Sequence, residues 1–124
     1  MSYTHIIVKM HPIGKANAIK HIETDLEKEF VLNNIINPYV QGSTFFLDGA
    51  RIDSSKVESI KVFESEKEYS EVYNDVKNKA EIQRRKLASQ GGFVMPMGIT
   101  KESAIISGET KEVTRDLFNE AQGL

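Results

Sequence analysis

The residues best suited to chemistry in this chain are a run of cations and the apolar segment that follows it. Between residues 77 and 86 a single acid, Glu81, stands among five cations: Lys77, Lys79, Arg84, Arg85 and Lys86. An arginine guanidinium matches a phosphate with a planar fork of donors, and an aromatic ring can stack on a nucleobase. The sequence therefore predicts phosphate binding by Arg84 and Arg85 and adenine stacking by Phe93.

The other members of the predicted nucleotide pocket are neighbouring or distant side chains. Met95 or Met97 would close the pocket, and the Thr100 hydroxyl would donate to a ribose or phosphate oxygen. Arg115 would pair with the pyrophosphate, and Arg51 would add a further cation if a second subunit brings it near. Charge-assisted hydrogen bonds of this kind favour a small anionic ligand.

A plainer interpretation of the same residues stays open. Cations near the C-terminus of a helix complement its dipole, so Arg84 and Arg85 can be ordinary helix-end charges. The apolar segment 93–97 would then be a docking patch of an accessory protein–protein interaction module. A nucleotide-cleaving enzyme is disfavoured, because we find no plausible general base in the sequence, and we expect no catalysis.

Other polar patterns do not predict a metal or a cofactor. Three histidines, His5, His11 and His21, have no carboxylate at ligand spacing. Gly91-Gly92 lacks the Walker lysine and the GxGxxG pattern of phosphate loops, and it is expected to end a helix. We therefore expect neither a metal nor a cofactor.

The composition limits the class of protein. The 124 residues, 40% of them hydrophobic and none of them cysteine, predict one ligand-binding domain over residues 1–124 without disulfides. A net charge of −2 with one basic segment suits a small anionic ligand better than a long nucleic acid. No apolar run approaches the roughly 20 residues of a membrane span, and we expect a cytoplasmic location without membrane contact.

The patterning predicts an α+β fold with an antiparallel sheet of four to five strands, a short helix, a long helix and a C-terminal helix. The strands are expected at residues 3–10, 17–23, 44–47, 56–64 and 103–107, with a hairpin turn at Asp48-Gly49. The short helix is expected to begin at a Thr24 cap and to end before Pro38. The C-terminal helix is expected after Thr110.

The predicted long helix runs from a Ser65 cap, with Glu68 completing a capping box, to Gln90. More than 20 residues span roughly 30 Å at 1.5 Å per residue, which is long for so small a domain. One face of this helix carries a mostly apolar stripe, made of Tyr69, Val72, Tyr73, Val76, Ala80, Gln83 and Leu87. A stripe that extends beyond its own domain usually packs on another chain, so we expect a dimer or a larger homo-oligomer.

Three segments, taken in order, resemble a small module found ahead of Toll/interleukin-receptor-like nucleotide-binding domains in bacterial defence proteins. They are the helix end at 36–42 with its Pro-Tyr and glycine, the hairpin at 46–52, and the strand at 57–65. The similarity covers residues 24–66, and residues 110–118 resemble the closing segment of the module. We expect the chain to stand alone, without the receptor-like domain that follows the module in those proteins.

A free-standing chain with this module and a long helix resembles the phage anti-Thoeris sponge proteins. The resemblance implies capture of a cyclic ADP-ribose signal, glycocyclic ADP-ribose, without degradation. That signal is made by a Toll/interleukin-receptor enzyme of Thoeris immunity. It also implies a homo-oligomer, a dimer or a dimer-based hexamer, in the host bacterial cytoplasm, with pockets at a subunit interface. Some members of the family also bind cyclic oligonucleotides.

Overall fold

A computed structural model describes residues 2–91 and 98–123 of the chain. Their fold is α+β, with a four-stranded antiparallel sheet in the order β2-β1-β5-β6. A separate two-stranded hairpin is formed by β3 and β4. The strands are β1 (Tyr3–Met10), β2 (Lys20–Leu26), β3 (Phe45–Leu47), β4 (Ala50–Ile52), β5 (Val57–Ser65) and β6 (Lys111–Glu112).

The helices surround the sheet. One continuous helix over residues 28–40 consists of α1 (Lys28–Val31), a π-helical turn (Leu32–Ile36) and α2 (Asn37–Val40). The remaining helices are α3 (Tyr69–Ser89), α4 (Lys101–Ser107), α5 (Thr114–Ala121) and a 3-10 turn at Ser54–Lys56.

Alternation along β1 places its side chains on two faces of the sheet. Ile6 and Val8, both fully buried, point to the first face and join the principal core, to which the 28–40 helix, the hairpin and α5 contribute. Ile7 points to the second face and packs with Phe63 and Ile105. The first face therefore lies under α5, and the second lies under α4 and the beginning of α3.

The predicted hairpin is confirmed. Asp48 has φ of 50° and Gly49 has φ of 73°, so both turn residues adopt the positive φ that a two-residue turn of this type requires. The two flanking strands pair antiparallel, with Phe46 opposite Arg51. The predicted strands at 3–10 and 56–64 are present as β1 and β5, and the second strand lies at Lys20–Leu26, later than the predicted 17–23.

The predicted last strand at Ser103–Ser107 is wrong, because these residues belong to helix α4. Thr100 caps this helix by accepting the backbone N–H of Ser103 at 3.1 Å. Ala104 and Ile105 are both fully buried. An apolar run this short does not distinguish a strand from a short buried helix, and a Thr100 cap is the sequence signal that favours the helix.

The predicted bounds of the first helix are also wrong. Thr24 lies in β2, and α1 begins after Glu27, whose side chain makes no capping bond. At the other end, the helix continues through Pro38 to Val40. The π-helical turn before Pro38, in which the Asn37 N–H bonds to the Leu32 carbonyl, accommodates a residue that lacks an N–H.

The predicted Ser65 cap is replaced by a cap from another strand. Ser65 is the buried last residue of β5, and α3 begins only at Tyr69. The backbone N–H of Tyr69 donates to Oδ1 of Asp25 at 2.8 Å. Asp25 has φ of 60°, in the left-handed region that aspartate tolerates better than most residues. A distant side chain thus satisfies a free donor at the helix start.

Candidate functional site

The second half of α3 extends past the elements that cover its first half. Val72 is buried in the first half, whereas every residue from 81 to 91 is exposed. Arg84 and Arg85 lie in this exposed stretch, next to two exposed apolar side chains, Ile82 and Leu87. The predicted phosphate-binding arginines therefore face solvent and are free to meet a ligand or another chain.

A groove of about 540 Å³ lies between β2 and α4 on the second face of the sheet. Ile22 and Ile106 give it apolar walls, and its remaining lining residues are polar. These are Lys20, Thr100, Lys101, Glu102, Ser103 and Ser107. Thr100, predicted to contact a ligand, thus lies in a concave surface that carries hydroxyl groups and two ammonium groups.

The charges at this groove are partly paired. Nζ of Lys20 lies 2.6 Å and 3.0 Å from the two carboxylate oxygens of Glu102, so this pair bridges the groove from β2 to α4. Nζ of Lys101 lies 5.4 Å from the centroid of the Tyr69 ring, a cation–π distance. Lys101 is therefore the ammonium group at this groove that is oriented by an aromatic ring rather than by a carboxylate.

Within one chain, the arginines of α3 do not reach the groove. The position of Lys101 over Tyr69 puts the groove beside the first turn of α3. Arg84 lies roughly 22 Å further along the helix axis, at 1.5 Å rise per residue. A pyrophosphate is much shorter than this separation, so one ligand cannot contact both regions of the same chain.

Arg51 and Arg115 lie on the other side of the sheet. Arg51 is exposed on β4 and Arg115 is exposed on α5. Both elements pack into the principal core, through Ile52 and Leu117, whereas α3 and α4 lie on the second face. One chain does not bring these two arginines together with Arg84 and Arg85. The predicted contacts of Phe93, Met95 and Met97 lie outside the described residues.

Sequence reasoning missed Lys20 and Ser103 as groove residues. These residues line a groove only because α4 packs beside β2. Residues 103–107 were predicted as a strand, so no groove was expected there. Sequence reasoning also missed Phe46, which is 68% exposed directly opposite Arg51 in the hairpin. The alternation along β3, with Phe45 and Leu47 buried on either side, is the signal that places Phe46 outside the core.

A buried polar network connects β1, β2 and β5. Nε2 of His5 lies 2.7 Å from Oγ of Ser65, and Nδ1 of His5 accepts the backbone N–H of Asp25 at 3.1 Å. The Ser65 hydroxyl donates to the Lys67 carbonyl at 2.6 Å, which leaves His5 Nε2 as the donor to Ser65. His5 is thus assigned as the neutral imidazole with its proton on Nε2.

These hydrogen-bond directions give the His5–Ser65 pair a structural role. A histidine that activates a serine nucleophile accepts the hydroxyl proton, whereas His5 donates to Ser65. His5 is 0% exposed, out of reach of a ligand. Burial lowers the pKa of the imidazole from its ordinary value of 6.5, and the Asp25 carboxylate raises it by a smaller amount. The network therefore holds strands together and keeps His5 uncharged.

Comparison of the chain with protein-family models, with curated proteins and with solved structures finds no significant match. Within residues 2–91 and 98–123, no helix is both long enough and apolar enough to cross a membrane. The same residues contain no cluster of three histidine or carboxylate side chains that could hold a metal ion. The candidate site therefore rests on geometry alone, on the exposed basic half of α3 and on the groove between β2 and α4.

Proposed function

We propose that the chain captures a cyclic ADP-ribose-derived signal, glycocyclic ADP-ribose or an isomer of it, and holds it without degrading it. In this role it is a phage-type anti-defence protein that blocks Thoeris immunity in the bacterial cytoplasm. The observation that carries the proposal is the exposed basic stretch of α3, where Arg84 and Arg85 face solvent. The resemblance of residues 24–66 to the defence-associated module supplies the class of ligand.

The chemistry of such a ligand matches these side chains. Its diphosphate carries negative charge that Arg84 and Arg85 can bind with forked hydrogen bonds. Its ribose oxygens can accept from Thr100 of another subunit, because Arg84 and Thr100 of one chain lie too far apart for one ligand. Phe93 stacks on adenine, and Met95 and Met97 enclose it. Arg51 and Arg115 add cations from another subunit of a homo-oligomer, because one chain holds them on the other face of its sheet.

Such contacts can supply the binding free energy that sequestration requires. A nanomolar dissociation constant corresponds to about −12 kcal/mol. Each charge-assisted hydrogen bond contributes roughly 1.5–3 kcal/mol, and a stacked base adds to this. Capture alone requires no general acid or base, and the His5–Ser65 pair is engaged inside the fold rather than at the groove.

A second candidate function is favoured by the exposed apolar side chains. Ile82, Leu87 and Phe46 are each about half or more exposed, at 54%, 51% and 68%. Ile82 and Leu87 stand beside the basic residues of α3, and exposed apolar side chains there could serve an accessory module that docks a protein partner and binds no small molecule. The two functions differ in whether a purified sample responds to a nucleotide.

The test is the thermal stability of the purified protein with and without cyclic ADP-ribose isomers. Bound ligand raises the melting temperature by mass action, and the variant Arg84→Ala/Arg85→Ala is expected to lose this shift while keeping its oligomeric state. The matched control is Lys15→Ala/Lys111→Ala, which removes two exposed cations outside α3 and is expected to keep the shift. No shift with any isomer would contradict the proposal and favour the docking module. An unchanged shift in the arginine variant would exclude those residues from the site.

A further inference from the structure

Strand β2 lies at an edge of the four-stranded sheet, and among the described strands it pairs only with β1. The N–H of Met10 donates to the Ile19 carbonyl at 2.8 Å, and this bond fixes which residues of β2 face β1. Bonded pairs alternate along an antiparallel ladder, so His21 directs its backbone groups to β1, whereas Lys20 and Ile22 direct theirs away. Within residues 2–91 and 98–123, no other backbone group bonds to the outward groups of these two residues.

This unpaired edge runs beside the groove between β2 and α4, because Lys20 and Ile22 also line that groove. Unpaired donors and acceptors at a sheet edge are a template for another extended segment. Their alternation at strand spacing matches a peptide backbone better than it matches a small anion. Every second side chain of an added strand would point to the second face of the sheet, into the groove.

The groove offers an apolar wall next to a positive charge. Ile22 packs on the core of the second face, and Ile106 on α4 remains 49% exposed across the groove. Lys20 is paired with Glu102, whereas the exposed Lys101 forms no salt bridge in the described part of the chain. The groove therefore suits an apolar side chain followed by a carboxylate.

We propose that β2 and α4 bind an extended peptide segment of a partner protein, which joins the sheet as a further strand beside β2. The segment carries an apolar residue and, two positions later, an aspartate or glutamate, because residues two apart share one face of a strand. The apolar side chain lies between Ile22 and Ile106, and the carboxylate meets the ammonium group of Lys101. This surface goes beyond the proposed capture of a nucleotide and does not rest on it.

A second copy of the chain fits this edge less well than an acidic peptide does. Pairing of two β2 strands about a twofold axis would bring both α4 helices to the same face of the joined sheet. Each groove carries two cations, Lys20 and Lys101, against one acid, Glu102, so surfaces of the same sign would meet. An acidic segment is instead attracted to this charge.

Fluorescence anisotropy of a labelled peptide with the full chain tests the proposal. The probe is a fluorescein-labelled heptapeptide of threonines that carries one valine and, two positions later, one glutamate. Two control peptides place the glutamate directly after the valine or replace it by lysine, and both are expected to bind several-fold more weakly. N-methylation of one alternate set of probe amides is expected to abolish binding and methylation of the other set to preserve it, because only one set faces β2.

Variants of the chain locate the bound probe. Ile106→Ser and Lys101→Glu change exposed groove side chains, and each is expected to weaken binding several-fold. The matched controls Val40→Ser and Lys56→Glu change an exposed apolar residue and an exposed cation outside the groove, and they are expected to bind as the natural chain does. Equal binding by all four variants would overturn the proposal.

Nuclear magnetic resonance identifies the edge that the probe occupies. Addition of the probe is expected to shift the amide resonances of Lys20 and Ile22 more than that of His21, whose N–H already faces β1. Absence of probe binding, or equal loss on methylation of either set of amides, would overturn the proposal. Sedimentation without peptide examines the other occupant, because a dimer that dissociates in Ile106→Ser would show that a second copy covers this edge, which also overturns it.

Discussion

Nε2 of His5 lies 2.7 Å from Oγ of Ser65, and this bond joins the first strand to the end of β5 inside the protein. The other ring nitrogen of His5 accepts the backbone N–H of Asp25 from β2. Asp25 in turn accepts the first N–H of α3 through its carboxylate. One buried imidazole and one carboxylate therefore fix where the helix that carries Arg84 and Arg85 leaves the sheet.

The burial of His5 predicts a pH-dependent stability. Its pKa is lower in the folded protein than in the unfolded chain, mainly by desolvation, so the unfolded state binds more protons near and below pH 6.5. The stabilisation that comes from neutral His5 is fully present above about pH 6.5. As the pH falls toward the folded-state pKa, the free energy of unfolding decreases by at most about 1.4 kcal/mol per pH unit. Urea unfolding from pH 5 to pH 8 measures this loss.

Two variants separate His5 from the other titrating groups. His5→Gln lacks the titration and is expected to flatten the pH dependence between pH 5 and pH 7. His11→Gln, which removes an exposed histidine, is expected to keep the dependence of the natural protein. Equal slopes for His5→Gln and the natural protein would contradict the role assigned to the buried imidazole.

Substitution of Asp25 tests the cap that β2 provides to α3. Asp25→Ala removes the acceptor for the Tyr69 N–H and places alanine at φ of 60°, so we expect a loss of about 1–3 kcal/mol in the free energy of unfolding. Asp25→Asn keeps an acceptor oxygen and tolerates this φ, and should lose less than about 1 kcal/mol. Chemical denaturation measures both, and no measurable loss for Asp25→Ala would contradict the cap.

Gly108 is required where α4 meets α3. A Cβ added at Gly108 would lie 2.5 Å from a methyl carbon of Val72 and 2.7 Å from the Ala104 carbonyl oxygen. Gly108→Ala is therefore expected to destabilise the protein by about 1–3 kcal/mol, as overpacked sites do. Gly98→Ala is the control, since its Cβ would meet no atom within 4 Å. Similar melting temperatures for the two variants would contradict the close packing of α4 on α3.

The hairpin and the first strand could be predicted from short sequence patterns, because neighbouring residues determine them. The Asp48-Gly49 turn specifies its hairpin because glycine and aspartate accept positive φ, and β1 is recognisable as a continuous β-rich run because both of its faces are buried. The start of α3 was predicted from Ser65, but β5 extends to this residue and His5 binds its hydroxyl. Only tertiary contacts reveal that Asp25, far away in sequence, supplies the cap.

The candidate site was harder to predict than the fold. The basic stretch at 77–86 is visible in the sequence, and its exposure follows from the length of α3. The groove was missed because residues 103–107 suit a strand as well as a helical turn, and the choice depends on packing against Phe63 and Ile7. The separation of Arg51 and Arg115 from Arg84 depends on which face of the sheet each element covers, which no local pattern encodes.

The proposed function requires the protein to hold a cyclic ADP-ribose signal intact. The most direct measurement incubates the purified protein with cyclic ADP-ribose isomers, removes free nucleotide by filtration, denatures the protein by heat and identifies the released molecules by mass spectrometry. The proposed function predicts that one isomer is retained and is released chemically unchanged. Cleaved products, or a filtrate that retains every isomer, would contradict it.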